Sequence, residues 1–535
     1  MKKTAAVMWL VIVVASSLGM ALVYFSTFQG PGIGGDATIY LTTARHFAEG
    51  KGLTLIGPQG EVRLLPYFPP FYPLVLSLFA LIGLDLPAAA NGLNILLFGG
   101  ITALGGWVMG RITGRWIYAA GAALLGALSP VLVPVYSWAM SEPLAFALGF
   151  GGLGLVLAFT GQPQRRGLLI GAGIVLGLSF LTRYSAVAFL AVGVLAIWLF
   201  TRRSLRQKLF DTFLLGGVGV LPMMVWLAYD LSQTASVASR SLENSMAERA
   251  ANFFPLLREV VLFWLIPDTW NQNPPYPAVL NALLVPIAVG LIMILMAWAL
   301  GGALRSRGDL RTSALVQWTL MLTMFVVVYL AVIAAVYITT YPPITIGDRM
   351  LAPLHLAVLW AVVGAAAIIG RLHPGRRWLH LVLPLLVFLV CGWYGARTAR
   401  IVRQNYGQGL GYTSRFWTQS ETLAALNQLS AGQLIVTNEE MAVLFLTQRP
   451  AYPLAEIYYN QPLEQFSAYG QGEIPAADRG QLAFRDNGAL LVLFDSIGNQ
   501  LSGLYPDRTT ERIETMTRGL QLVFRGEDGA IFRAP

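Results

Sequence analysis

The chain has 535 residues, of which 56% are apolar and 12% charged, and its formal net charge is +9. Soluble domains carry roughly 25% charged residues, so this balance excludes an ordinary water-soluble enzyme and places the chain among membrane proteins. The single cysteine, Cys391, excludes an internal disulfide, and His46, His355, His373 and His380 show no metal-ligand spacing such as H-E-x-x-H, so they read as interfacial or surface groups.

The chain opens on Met1-Lys2-Lys3 and an apolar run over 5–27. That run is longer than a signal-peptide core and no small-residue cleavage site stands out, so it reads as a retained first span. A span needs about 20 mostly apolar residues. Eleven segments qualify: 5–27, 88–110, 116–134, 138–160, 167–182, 184–200, 210–229, 278–301, 313–339, 350–370 and 378–396. Residues 69–86 are also apolar, but Pro69-Pro70 and Tyr72-Pro73 interrupt them, and this stretch is expected to lie along the interface.

Orientation follows from Lys and Arg, which concentrate in cytoplasmic loops. With the N-terminus cytoplasmic, the inner segments hold sixteen Lys and Arg against two acids. The outer loops and outer span ends hold eight against eleven, and residues 397–535 twelve against fourteen. All the excess positive charge is therefore topological, and the net charge lends no support to a nucleic-acid partner.

Three outer segments are long: 28–87, 230–277 with its run Trp270-Asn271-Gln272-Asn273-Pro274-Pro275, and 397–535. Function concentrates on long loops held by a rigid scaffold, so chemistry is expected on the outer face. Residues 397–535 read as a small soluble α/β domain. A helix is expected over Phe416 to Leu429, capped by Thr418 or Ser420, then a strand over Gln433 to Thr437 and a helix over Glu439 to Leu446. A buried-type strand follows at Ala489 to Phe494. A hairpin around Gly526-Glu527-Asp528-Gly529 joins Leu520–Phe524 to Ala530–Arg533.

Four ionisable residues stand at the outer face on separate segments. Asp36 follows Gly34-Gly35 just past the first span and precedes a helix ending near Gly50; it is equally an N-cap signal and a catalytic carboxylate. Glu142, four residues into its span, is expected about 6 Å below the surface, where an ionisable group faces a cavity or a partner. Pro143 beside it also suits a helix-start carboxylate. Arg183, in Leu181-Thr182-Arg183-Tyr184, and Arg349, in Gly347-Asp348-Arg349-Met350, either snorkel to headgroups or bind a phosphate through bidentate guanidinium bonds. Sugar transfer from a lipid phosphate needs such a set. A carboxylate takes the acceptor proton, and cations, or a metal held by carboxylates, meet the departing phosphate.

The residues Gly35-Asp36-Ala37-Thr38-Ile39-Tyr40-Leu41, Ala44 to Gly52, Pro69 to Leu74, Ser141-Glu142-Pro143-Leu144, Leu181-Thr182-Arg183 and Asp348 to Pro353 resemble, in order, the GT-C superfamily of membrane glycosyltransferases. The likeness is to the bacterial branch akin to protein O-mannosyltransferases and lipid A aminoarabinose transferases, and it covers roughly residues 1–370. It implies an α-helical polytopic membrane fold of about eleven spans: a transmembrane catalytic domain over 1–396, bearing Asp36 in its first outer loop, and an extracytoplasmic α/β domain over 397–535.

The resemblance further implies a multi-pass protein of the bacterial plasma membrane with an inverting transferase activity. The donor would be a polyprenyl-phosphate sugar and the acceptor a glycan, lipid or protein hydroxyl. Asp36 would be the base and Glu142 a second acid that orients the acceptor or a metal. Arg183 and Arg349 are assigned to the donor phosphate. Many relatives carry two near-adjacent acids in the first loop, but here Ala37 and Thr38 follow Asp36. A metal held by a local acidic pair is therefore not expected; no cofactor is assigned, and a divalent metal is left open. The alternatives are a lipid-linked glycan transporter or flippase, which predicts paired repeats and ionisable groups at mid-membrane, and an oligosaccharide ligase or polymerase.

Overall fold

The computed structural model of the chain describes residues 2–57, 61–65, 68–234, 241–242, 246–267, 269–270, 275, 277–306, 313–341, 344–376, 378–454, 479–503 and 505–535; Asn271 to Pro274 of the second outer segment lie outside them. By internal packing the chain divides into two compact units. The first is Met1–Phe28, Pro66–Phe79 and Gly83–Gly407, and the second is Gln29–Leu65, Ala80–Ile82 and Gln408–Pro535. The residues just after the first span, Asp36 among them, thus pack with the C-terminal region.

The first unit is helical. It holds α1 (Lys2–Ser26) and, after α2 (Gly35–Ala48) of the second unit, most of α3 (Phe71–Leu81), then α4 (Leu86–Thr113), α5 (Trp116–Ala127), α6 (Leu132–Tyr136), α7 (Glu142–Gly161), α8 (Arg166–Thr182) and α9 (Val187–Phe200). It continues through α10 (Leu205–Thr234), α11 (Met246–Leu265), α12 (Ala278–Arg305), α13 (Ala314–Thr339), α14 (Asp348–Leu372) and α15 (Leu379–Gln408). Among the described residues, eight helices are long and apolar enough to cross a membrane. The shorter apolar helices α5, α8 and α9 have 12, 17 and 14 residues. With α3, which has 11 residues, they make four shorter apolar helices beside the eight long ones, and the chain is a multi-pass membrane protein.

Three boundaries differ from the sequence reading, each for a local reason. Helix α5 stops at Ala127 because Ser129-Pro130 restarts the backbone: Ser129 Oγ accepts the N–H groups of Val131 and Leu132 at 3.2 and 3.1 Å, opening α6. Helix α7 starts at Glu142 rather than 138, after a turn in which the Met140 N–H donates to the Trp138 carbonyl at 2.8 Å. Helix α15 runs past the apolar segment to Gln408. A fourth difference is larger. The polar composition of 230–277 reads as loop, yet α11 lies there, with Phe253, Val260 and Trp264 buried along one face at helical spacing.

Helix α14 is the centre of this unit. From Leu351 to Gly370 every residue except Val358 and Val362 is buried, as expected of a helix apolar on all sides. Helices α5, α12 and α13 pack around it. Small residues allow the closest crossing: a Cβ at Gly177 of α8 would stand 2.7 Å from the Gly219 carbonyl oxygen of α10. Such contacts drive helix association where lipid removes the hydrophobic gain.

The second unit pairs β1 (Thr54–Ile56) with β2 (Val62–Leu64), and a separate short pair, β3 (Ser241–Leu242) with β4 (Thr340–Tyr341), belongs to the first. Its main sheet contains β5 (Ile435–Thr437), β6 (Tyr452–Pro453), β7 (Leu490–Phe494), β8 (Gln521–Arg525) and β9 (Gly529–Arg533), in the order β6-β5-β7-β9-β8. Strands β6, β5 and β7 are parallel, and β9 and β8 close the sheet antiparallel. Around it lie α16 (Arg415–Thr418), α17 (Glu421–Gln428), α18 (Glu440–Thr447), α19 (Arg479–Asn487), α20 (Ser496–Ser502) and α21 (Thr509–Thr517).

The helix expected over 416–429 is two helices because Ser420 takes the cap. Its Oγ accepts the Leu423 N–H at 3.0 Å, and Asp528 Oδ1, from the β8–β9 turn, accepts the Thr422 N–H and hydroxyl at 3.1 and 2.8 Å. The segment leading to Asp36 is tied in by a parallel bridge between Ile33 and Gly411. Gly411 has φ +53°, and a Cβ there would meet the Ile33 carbonyl oxygen at 2.1 Å, so only glycine fits.

Candidate functional site: a buried carboxylate between two arginines

In the first unit, Glu142, Arg183 and Arg349 converge from three segments. Arg183 Nη1 lies 2.8 Å and Arg349 Nε 2.9 Å from Glu142 Oε1. The Glu142 side chain is 1% exposed, against 15% for Arg183 and 40% for Arg349. An isolated carboxylate buried this way costs several kcal/mol; two guanidiniums on one oxygen offset that cost.

The helix ends explain why each residue sits where it does. Glu142 is the first residue of α7, the end where backbone N–H groups favour an anion, and Pro143 suits the first turn. Arg183 follows α8 as its cap in extended conformation, at the end that favours a cation. Arg349 is the second residue of α14, where the helix field disfavours a cation, and Glu142 compensates. Packing around the start of α7 buries Glu142, and both arginines are engaged by its carboxylate. Arg183 Nη1 also donates to Ser141 Oγ at 3.1 Å, and Arg349 Nη1 reaches Met140 Sδ at 3.5 Å. The Tyr329 hydroxyl donates to the Met350 carbonyl at 2.7 Å and fixes the start of α14.

Beside this cluster is a cavity of about 350 Å³, with Pro130, Pro134, Trp138, Phe263, Asp348 and Arg349 in its lining. Asp348 and Trp138 carried no role in the sequence reading. The Trp264 indole N–H donates to Asp348 Oδ1 at 3.2 Å. Trp264 is itself fixed: its ring meets His355 edge-on at 4.7 Å, and its carbonyl accepts from Arg397 Nη1 at 2.9 Å. Arg397 Nη2 also donates to the carbonyls of Phe263 and Ile266 at 2.6 and 2.9 Å, so one buried cation caps the end of α11. His355 Nε2 stands 3.2 Å from Ser129 Oγ. His355 and His46 are thus buried rather than surface groups, and one ring nitrogen of each has a polar partner; His46 Nδ1 is 2.8 Å from the Thr54 carbonyl.

Asp36 belongs to the second unit. It is half-buried in the first turn of α2, and the capping residue is Gly34, so Asp36 is not the N-cap that Gly-Gly-Asp suggests. The same unit holds a polar network at the carboxyl ends of β5 and β7. Ser496 Oγ and Gln500 Nε2 donate to Glu439 Oε1 at 2.6 and 3.0 Å, and Asn438 Nδ2 donates to Ser496 Oγ at 3.0 Å. Burial pushes the Glu439 carboxyl above the usual range, against the pull of those two hydrogen bonds. Among the described residues no three or more His, Cys, Asp or Glu side chains gather as a metal site would require. Glu142 is engaged by guanidiniums and Asp348 by an indole, which is not the donor set of a metal centre.

No protein-family model matches the chain, and no curated protein matches it by sequence. Solved structures do match. ArnT from Cupriavidus metallidurans in the apo state aligns with TM-score 0.55 at 16% identity, covering 99% of this chain and 98% of that one. The archaeal oligosaccharyltransferase AglB from Archaeoglobus fulgidus, in complex with an inhibitory peptide and a dolichol-phosphate, aligns with TM-score 0.55 at 13% identity over 99% of this chain and 74% of that one. Arabinofuranosyltransferase AftD from Mycobacteria gives TM-score 0.52 at 17% identity over 98% of this chain and 41% of that one. At these identities the likeness is one of architecture, and it recurs across three separate proteins: the chain shares the fold of these solved structures.

Proposed function

We propose that this chain is a glycosyltransferase that moves one sugar from a polyprenyl-phosphate donor to a hydroxyl on a glycan, lipid or protein acceptor. Transfer takes place at the outer face of the bacterial plasma membrane, with the N-terminus cytoplasmic and residues 397–535 extracytoplasmic. The observation that carries the reading is the pair of guanidiniums, from two separate segments, held on buried Glu142 beside an apolar-walled cavity. Such a pair is suited to the phosphate of a lipid-linked donor, and AglB, a neighbour in fold, is complexed with a dolichol-phosphate.

In the reaction the acceptor oxygen attacks the anomeric carbon opposite the phosphate. The sugar–phosphate C–O bond breaks, and its electron pair leaves with the polyprenyl phosphate. Arg183 and Arg349 meet the developing charge. Asp36, whose role rests on the family resemblance, takes the hydroxyl proton. Glu142 acts through the arginines it orients, a different role from holding the acceptor or a metal. The inversion of configuration follows from the single displacement.

A transporter would place ionisable groups near mid-membrane on paired repeats, whereas Glu142, Arg183 and Arg349 all sit at helix ends. The test is single-sugar transfer by the purified full-length chain in proteoliposomes supplied with undecaprenyl-phosphate monosaccharides, read by product mass. Wild type is expected to add one sugar. Asp36→Asn is expected to slow transfer by about 10²-fold or more with unchanged thermal unfolding. Lipid movement without bond cleavage would replace this reading with transport, and a multi-sugar increment would replace it with a ligase.

A further inference from the structure

The cavity beside Glu142 holds two charges of opposite sign on consecutive residues, Asp348 and Arg349. If the phosphate of a lipid-linked donor meets the arginines, a carboxylate in the same cavity cannot face that phosphate without repulsion. Successive residues on a helix point about 100° apart, so the first turn of α14 presents the two groups to different parts of one ligand. An ionised carboxylate only accepts hydrogen bonds. The isoprenoid chain and the phosphate diester of a charged donor supply no donor groups, but the sugar supplies several hydroxyls. Trp138, in the same lining, offers a flat apolar ring for the C–H face of a sugar. The volume, about 350 Å³, is near the lower end of small-molecule sites, roughly 300–1,000 Å³, and is enough for a monosaccharide.

Resting on the transferase reading above, we infer that Asp348 is the sugar-reading residue of this site. Its carboxylate accepts hydroxyls of the donor monosaccharide, and Trp264 is the positioning residue that holds it. The indole N–H takes one carboxylate oxygen at 3.2 Å. The indole is braced by His355 and by the Arg397 clamp on its backbone, so it holds that carboxylate oxygen in a fixed direction. Selectivity among sugars then comes from which hydroxyls reach a fixed acceptor.

The experiment measures binding of undecaprenyl phosphate, and of undecaprenyl-phosphate glucose, mannose and arabinose, to the full-length chain in nanodiscs. Wild type is expected to bind one of the glycosylated lipids at least about tenfold more tightly than the bare lipid phosphate. Asp348→Asn is expected to lose that gain by about 10- to 100-fold, the worth of hydrogen bonds to a charged group. It should bind bare undecaprenyl phosphate as tightly or more tightly, because a negative charge next to Arg349 is gone. Trp264→Phe, which keeps a ring but removes the N–H, is expected to lose about threefold of the same gain; it decides the matter if Asp348→Asn does not fold. A wild-type protein with no preference for any glycosylated lipid, or an Asp348→Asn protein with the preference intact, overturns the inference alone. A wild-type protein that binds none of the four lipids overturns the transferase reading itself.

Discussion

The first unit contains two buried carboxylates that each face two arginines, and they are used differently. In one Glu142 meets Arg183 and Arg349; in the other, within a basic stretch of the sequence, Asp211 meets Arg203 at 2.7 Å and Arg166 at 3.8 Å. The charges are identical, so the difference lies in what the guanidiniums do next. Arg203 gives another N–H to the Pro163 carbonyl at 2.6 Å and lies over the Phe159 ring, and Arg166 lies over Phe210 at 4.5 Å. Those contacts fasten the 162–165 turn to the start of α10. Around Glu142 the neighbours are Ser141 and the sulfurs of Met140 and Met350, and Arg349 lines a cavity. A buried ion triad is thus no sign of function by itself; the surroundings of its cations tell a fastening from a binding site.

Removing the acid from each triad gives the sharpest contrast. Glu142→Ala and Asp211→Ala each leave two arginines without their counter-charge, and each is expected to cost about 3–5 kcal/mol, read by chemical unfolding in detergent. Only Glu142→Ala is expected to abolish binding of undecaprenyl phosphate in the surviving folded fraction. Equal loss of binding in both would erase the distinction. Exchange of one arginine is milder. Arg349→Lys keeps the charge but loses the planar fork, and is expected to weaken lipid-phosphate binding about tenfold with little change in stability. Arg203→Lys is expected to do the reverse, costing about 1–2 kcal/mol without touching binding.

The smallest effect tests the second unit, where a half-buried acid is held by neutral partners, Ser496 and Gln500. Burial holds Glu439 above its ordinary value of 4.5, so the folded chain keeps a proton there that the unfolded chain releases. Its contribution to stability is fully present below that ordinary value and is lost as pH rises through the raised one. Glu439→Gln is expected to flatten this part of the pH–stability curve of the full chain. An unchanged slope would mean that Ser496 and Gln500 already stabilise the charged form fully.

Much of the fold was legible because membrane helices declare themselves by length and apolarity, and the sheet by short buried runs such as Leu490 to Phe494. The sequence also grouped Glu142, Arg183 and Arg349 on one expected face, and the structure does bring the three together. Their meeting on one oxygen was not legible, because residues 142, 183 and 349 are joined through packing that no local pattern encodes. Trp264 was missed with the helix that carries it. The recurrence of Phe253, Val260 and Trp264 is a helical signal, masked by the polar residues around it. Asp348 was overshadowed by its neighbour: beside Arg349 it reads as a local charge partner, and only the cavity gives it a separate direction. The split of the 416–429 helix turns on Asp528, more than a hundred residues downstream.

Arg397 has one more consequence. Three carbonyls at the end of α11 share a single guanidinium, so the anchorage of that whole turn depends on the position of one side chain. The Phe263 wall and the Trp264 indole ride on the same turn. Any widening of the pocket on this side must therefore either carry Arg397 along or break its bonds to the turn.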